Sequence, residues 1–110
     1  MNDEQRVRDI LDLNKRKNLI GGNWVDSLSG ETLAIENPAT GEIIAHVPRA
    51  GAADIDLAVK EARRAFEARS WRNMRASDRG RLLESIARKL EEHADELAFL
   101  EALDTGKAVS

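Results

Sequence analysis

The chain has 110 residues, 42% hydrophobic and 34% charged, with 17 Lys and Arg against 20 Asp and Glu. That length holds one small domain, and the net charge of −3 argues against nucleic acid as a partner, since phosphate binding needs a basic excess. No cysteine occurs, which excludes a disulfide framework, a zinc–thiolate site and a thiol nucleophile from these residues; no run nears the ~18 apolar residues of a membrane span and no secretory signal core opens the chain, so a cytoplasmic protein with no membrane partner is expected.

Residues 3–17, DEQRVRDILDLNKRK, place Val7, Ile10, Leu11 and Leu13 at roughly helical spacing. Acid comes first and base last, which complements the helix dipole. The reading is a short leader helix or tail over 1–17, with KRK at 15–17 as a positive helix end or a basic tether.

Turn residues then dominate. Gly21-Gly22 between Leu19-Ile20 and Trp24-Val25 predicts a tight hairpin. Leu33 to Glu36 reads as a further strand, and Ile43 to Val47 as another, closed by Pro48. Between them NPATGE is a turn: Pro38 fixes its own φ and pushes Asn37 towards extended backbone.

From residue 52 the period becomes helical. Ile55, Val59, Ala62 and Phe66 share one face, with Asp54 and Asp56 in the first turn and Arg63, Arg64 and Arg69 towards the end. Ser70 to Ala76 is predicted to be a connector docked through Trp71 and Met74. Ser77 is the expected N-cap of the next helix, with Asp78 behind it. Leu82, Leu83, Ile86, Ala87 and Leu90 give that helix its apolar face, and Leu97, Leu100 and Leu103 continue it, with a possible break in EEHADE at 91–96. Gly106, after Leu103-Asp104-Thr105, sits where a left-handed C-cap belongs. The dense arginines from 63 to 88 read as a solvated helical surface. His46 and His93 stand alone, without the company a metal site needs. No catalytic triad and no Gly-rich phosphate loop is present.

The order of these pieces is distinctive. GNW, then NPATGE, then AVKEARRAF, a Trp-bearing connector WRNMRASDRGRLL and the exit EALDTGK together resemble the N-terminal part of the NAD(P)-dependent aldehyde dehydrogenase superfamily. The connector is most similar to the phenylacetaldehyde- and betaine-aldehyde-type branch. The resemblance covers about residues 18–110 and leaves 1–17 outside.

It implies the α/β architecture of that family. For these residues alone it implies a small antiparallel β element followed by two or three helices, an α+β segment. Residues 18–110 would be the incomplete N-terminal part of the cofactor-binding domain. The chain is then expected to be the opening portion of a longer enzyme that oxidises an aldehyde to a carboxylic acid with NAD or NADP, as a homodimer or homotetramer. In that chemistry a cysteine thiolate attacks the carbonyl, an Asn side chain and a backbone N–H hold the oxyanion, hydride passes to the nicotinamide, and a Glu activates water. No residue of this chain is assigned a catalytic or cofactor-binding role, and these 110 residues alone are expected to be inactive.

The resemblance also implies a structural monovalent cation, K⁺ or Na⁺. By motif position its ligands would be the backbone carbonyls of Ile35 and Glu36 and the carboxylate of Asp104. Hard cations take such oxygen ligands. The plainer possibility is that Asp104 only caps or salt-bridges the helix end. A competing reading of the whole chain is a non-catalytic helical interaction module. In a module the helices would cover one another's apolar faces; in an enzyme segment those faces would stand uncovered.

Overall fold

The structure is a computed structural model that describes residues 3–11 and 16–108. Its first element is helix α1 (Asp3–Ile10). The predicted leader helix therefore stops short of 17, and Leu13 and Lys15 lie outside the described residues. Lys17 does not close a helix; its Nζ lies 3.7 Å from Asp26 Oδ2.

Two separate hairpins follow, where a single β element was expected. Strands β1 (Asn18–Ile20) and β2 (Asn23–Val25) pair antiparallel, with Leu19 opposite Trp24. Gly21 and Gly22 join them at φ 60° and 80°, the two positive values that a two-residue hairpin turn with the right twist requires. Strands β3 (Thr32–Glu36) and β4 (Ile43–Pro48) form the second antiparallel pair. Pairing runs from Thr32 with Pro48 to Ile35 with Ala45, then slips so that Glu36 faces Ile43. Ile44 has no partner at this bulge, and such an insertion bends the strand. Its side chain is buried.

Four helices come next: α2 (Ala52–Glu67), the single turn α3 (Arg69–Arg72), α4 (Ala76–Glu92) and α5 (Ala94–Thr105). The connector expected at 70–76 is thus partly helical. Trp71 lies in α3, its ring beneath the Arg79 guanidinium at 4.8 Å, while Arg79 Nη2 donates to the Trp71 carbonyl at 2.8 Å. Ser77 is not the N-cap of α4. The cap lies two residues earlier, on Arg75 in extended backbone, and Asp78 binds Arg75 Nε at 3.0 Å and Arg81 Nη1 at 2.7 Å across the first turn. The break in EEHADE falls at His93, between α4 and α5.

The buried apolar core is small: Val7 of α1, Ile44 of β4 and Leu103 of α5, with Leu11, Ile35, Ala45, Phe99 and Leu100 packed around it. The long helix faces read from periodicity are correct as faces, yet they are not covered. Phe66 is 62% exposed and Leu83 67%, with Ile55, Val59, Ile86, Leu90 and Leu97 also exposed. The accessible area is 8604 Å², against roughly 6100 Å² for a compact monomer of this mass. The radius of gyration is 17.1 Å, against about 13 Å for a compact chain of this length.

Asp54 fixes the start of α2. At 4% exposure, its Oδ2 accepts from the Gly51 N–H at 2.8 Å and its Oδ1 from the Leu28 N–H at 2.9 Å. One carboxylate thus caps the helix and ties the loop between the hairpins to it. Replacing Asp54 by Ala strands two amide donors and is expected to cost about 2 kcal/mol, read as roughly 30-fold faster hydrogen exchange at Gly51 and Leu28. Unchanged exchange at both amides would show that the carboxylate does not hold them.

Candidate functional site

The turn after β3 and the exit of α5 come together. Asn37 is buried and organises the turn completely. Its N–H donates to the Glu42 carbonyl at 2.8 Å, its carbonyl accepts from Thr40 and Gly41, and its Oδ1 accepts from the Ala39 N–H at 3.0 Å. This is the side-chain-closed turn that Asn forms readily. At the other partner, α5 ends on Gly106 at φ 74°, ψ 9°, whose N–H donates to the Ala102 carbonyl. Thr105 Oγ1 donates to the Glu101 carbonyl at 2.7 Å. A Cβ built on Gly106 would lie 3.1 Å from Pro38 Cγ. The NPATG turn and the LDTGK exit are therefore in contact, and glycine is demanded at 106 both by the left-handed backbone and by the closeness of Pro38.

The three residues expected to ligate a cation flank this junction. Ile35 and Glu36 sit at the slip in pairing between β3 and β4, where the hydrogen-bond ladder is interrupted. Asp104 lies in the last turn of α5. Ile35 and Asp104 line one open cavity of about 630 Å³, together with Val7, Leu11 and Leu100. Glu36 is exposed and is not among the residues lining that cavity. Arg16, Lys17 and Glu101 also line it.

The electrostatics favour a positive charge beside Asp104. The C-terminal end of a helix carries a partial negative charge and unpaired carbonyls, and α5 has no basic residue in its last turn. Asp104 adds a full negative charge there. Among the described residues its carboxylate makes no hydrogen bond and no ion pair, so it neither caps nor salt-bridges. The donor set is carbonyl and carboxylate oxygen, which suits an alkali cation. It does not suit a transition metal: no group of three His, Cys, Asp or Glu is gathered for one among the described residues. His46 is exposed on β4 opposite Ala34, and His93 faces Glu96 on the surface, with Nδ1 3.3 Å from Oε2.

Two features of the site escaped the sequence. One is the contact of Pro38 with Gly106, which joins residues far apart in the chain. The other is α1: Val7 and Leu11, spaced four apart, were readable as an apolar stripe, but nothing in the sequence says that they wall this cavity.

The model of the Aldehyde dehydrogenase family matches residues 24–110. Aldehyde dehydrogenase family 2 member B4, mitochondrial, of Arabidopsis thaliana is 44% identical over 104 residues, 94% of this chain and 19% of the relative. Phenylacetaldehyde dehydrogenase of Pseudomonas fluorescens is 45% identical over 89 residues, 81% of this chain and 18% of the relative. The solved structure of betaine aldehyde dehydrogenase of Staphylococcus aureus in complex with NAD⁺ superposes with a TM-score of 0.88 at 36% identity, covering 99% of this chain and 22% of that one. The chain thus spans about a fifth of the length of the relatives it matches, and the match falls on their N-terminal segment.

Gly106→Ala tests the junction. A left-handed alanine and a Cβ crowded on Pro38 are expected to destabilise the exit of α5 by about 2 kcal/mol, read by urea unfolding. Pro38→Ala in the same background removes the crowding and should return part of that loss. Full stability of the single variant would show that the turn and the helix exit do not meet.

Proposed function

This chain belongs to the aldehyde dehydrogenase family, and on that premise we propose that it serves as the N-terminal segment of an NAD-linked oxidoreductase that converts an aldehyde to a carboxylic acid. The observation that carries this reading is the uncovered apolar row on α2 and α4: Ile55, Val59, Phe66, Leu83, Ile86 and Leu90 all face solvent. A chain with roughly 2500 Å² more exposed area than a compact monomer of its mass has a surface shaped for burial. A self-sufficient interaction module, whose helices would cover one another, fits this poorly. In the proposed enzyme residues 18–110 contribute to the cofactor-binding domain.

The chemistry belongs to residues beyond these 110. The chain has no cysteine, so it supplies no thiolate for covalent attack on a carbonyl. Its own part is architectural: the hairpins set α2, and the β3–β4 turn sets the end of α5. NAD is the favoured nicotinamide, in keeping with the NAD⁺ complex of the Staphylococcus aureus relative. The whole enzyme is assigned a homodimeric or homotetrameric state by family resemblance. Among the described residues no helix is long and apolar enough to cross a membrane. The proposed location is the cytoplasm, although one relative is named as mitochondrial.

At the junction the Ile35 and Glu36 carbonyls and the Asp104 carboxylate would hold K⁺ or Na⁺. The support is the shared cavity of Ile35 and Asp104 and the unpaired carboxylate at a negative helix end. Bound there, the ion would offset the charge of Asp104 and tie the β3–β4 turn to α5.

A chimaera tests the reading. Residues 1–110 replace the corresponding segment of the Staphylococcus aureus betaine aldehyde dehydrogenase, and NAD⁺ reduction with betaine aldehyde is followed. Turnover by the chimaera is expected, and none by the 110-residue chain alone. A folded but inactive chimaera, or turnover by the chain alone, overturns the proposal.

A further inference from the structure

The family match begins at residue 24, yet the most buried side chain among the described residues is Val7 of α1, at 2% exposure. Val7 joins Ile44 and Leu103 in one cluster, and Arg6 lays its guanidinium 3.6 Å above the centre of the Phe99 ring. These contacts are placed pointedly. Ile44 is the unpaired residue at the slip opposite Ile35 and Glu36. Leu103 directly precedes Asp104. Val7 and Leu11 themselves line the cavity shared by Ile35 and Asp104.

We propose that α1 is a positioning element for the junction: Val7, wedged between Ile44 and Leu103, sets the separation of the Ile35 carbonyl from the Asp104 carboxylate, and so the grip on an alkali cation. The inference rests on the cation reading above and extends it to residues that touch no ligand oxygen. Val7 acts through Ile44 on the β3–β4 side and through Leu103 on the α5 side. Arg6 acts by holding α1 against Phe99, one turn before Leu103. The remaining charged side chains lining the cavity are Arg16 and Lys17, both basic, and Glu101, which is acidic. Packing by α1 brings apolar surface to the cavity wall, and a drier wall strengthens the attraction between a carboxylate and a cation.

The experiment uses the full 110-residue chain. Sodium-23 relaxation gives Na⁺ affinity, and competition with KCl gives K⁺ affinity, with choline chloride keeping ionic strength constant. Thermal unfolding is followed in the same buffers. The wild type is expected to bind saturably. Val7→Ala should lower the unfolding midpoint by roughly 5–10 °C and weaken cation binding about tenfold, as loss of an outer supporting contact does. Val7→Ile should retain affinity. Arg6→Ala leaves the buried cluster intact and decides the matter if Val7→Ala does not fold; it should weaken binding by a smaller factor. Leu83→Ala, on the exposed face of α4, should leave affinity unchanged. Wild-type affinity in Arg6→Ala and Val7→Ala, whatever their midpoints, overturns the positioning role and leaves the cation site standing. Absence of saturable binding in the wild type overturns the cation site and the positioning role together.

Discussion

The contact among Val7, Ile44 and Leu103 is the constraint on which the described fold turns. Each side chain comes from a different part of the chain: a leader helix, a bulged strand and the last helix. Burial of such side chains is worth about 2 kcal/mol apiece, and no other apolar side chains among the described residues are buried as fully. The bulge at Ile44 matters for this reason. In regular pairing its neighbours would alternate strictly between the two faces of the hairpin. The slip instead lets Ile44 meet Val7 and Leu103, while Ile35 and Glu36 stay paired on either side of it, with Ala45 and Ile43.

That same slip links packing to electrostatics. Once the β3–β4 turn is pulled onto α5, Pro38 lies against Gly106 and the end of β3 shares a cavity with Asp104. Some acids on the helices are answered locally, whereas Asp56, Glu84, Glu91, Asp95 and Glu101 are in no ion pair among the described residues. Glu61 meets Arg64, Glu67 meets Arg63, Asp78 meets Arg75 and Arg81, and Glu92 meets Lys89. Asp104 stands at the negative end of a helix without such an answer among the described residues. Asp104 shares its cavity with Ile35 at the end of β3 and with Glu101.

Local chemistry was readable where a few neighbouring residues decide the outcome. Gly21-Gly22 specified a hairpin because both φ values must be positive, and Gly106 specified a left-handed exit for the same kind of reason. NPATGE was readable because Pro38 and Asn37 restrict their own backbone. Periodicity located the faces of α2, α4 and α5 correctly, but it reports which side is apolar and not what lies against it. The start of α4 was misplaced because Ser77 is a good cap in isolation, whereas the helix starts at Ala76 with Arg75 in the capping position and no side-chain cap bond. Val7 illustrates the deeper limit. Its burial depends on Ile44 and Leu103, 37 and 96 positions further on, and no local pattern carries that information. For Ile35, Glu36 and Asp104 the family motifs supplied the positions, while the shared cavity of Ile35 and Asp104 had to come from the fold.

The ion pairs along the helices also bear on how the apolar row would be covered. They link residues three or four apart on the same helix, or neighbours across one turn, and they lie at the surface. Exposed pairs of this kind contribute little to stability and are screened by salt. Because these pairs are satisfied within each helix, they do little to steer another surface into place; Asp56, Lys60, Glu84, Arg88 and Glu91 are among the charges on α2 and α4 that lie outside any ion pair among the described residues. What α2 and α4 offer is chiefly apolar area, whose burial is non-directional and scales with the area removed from water. Association at this face should therefore persist at high ionic strength and respond to loss of side-chain volume at Phe66, Leu83 or Ile86 rather than to loss of charge. The cavity at the end of α5 is different in kind: charged side chains (Arg16, Lys17, Glu101 and Asp104) line it beside the apolar ones. The two faces of this small fold thus differ in composition, and the Val7–Ile44–Leu103 cluster adjoins only the cavity, which Val7 and Ile44 help to line.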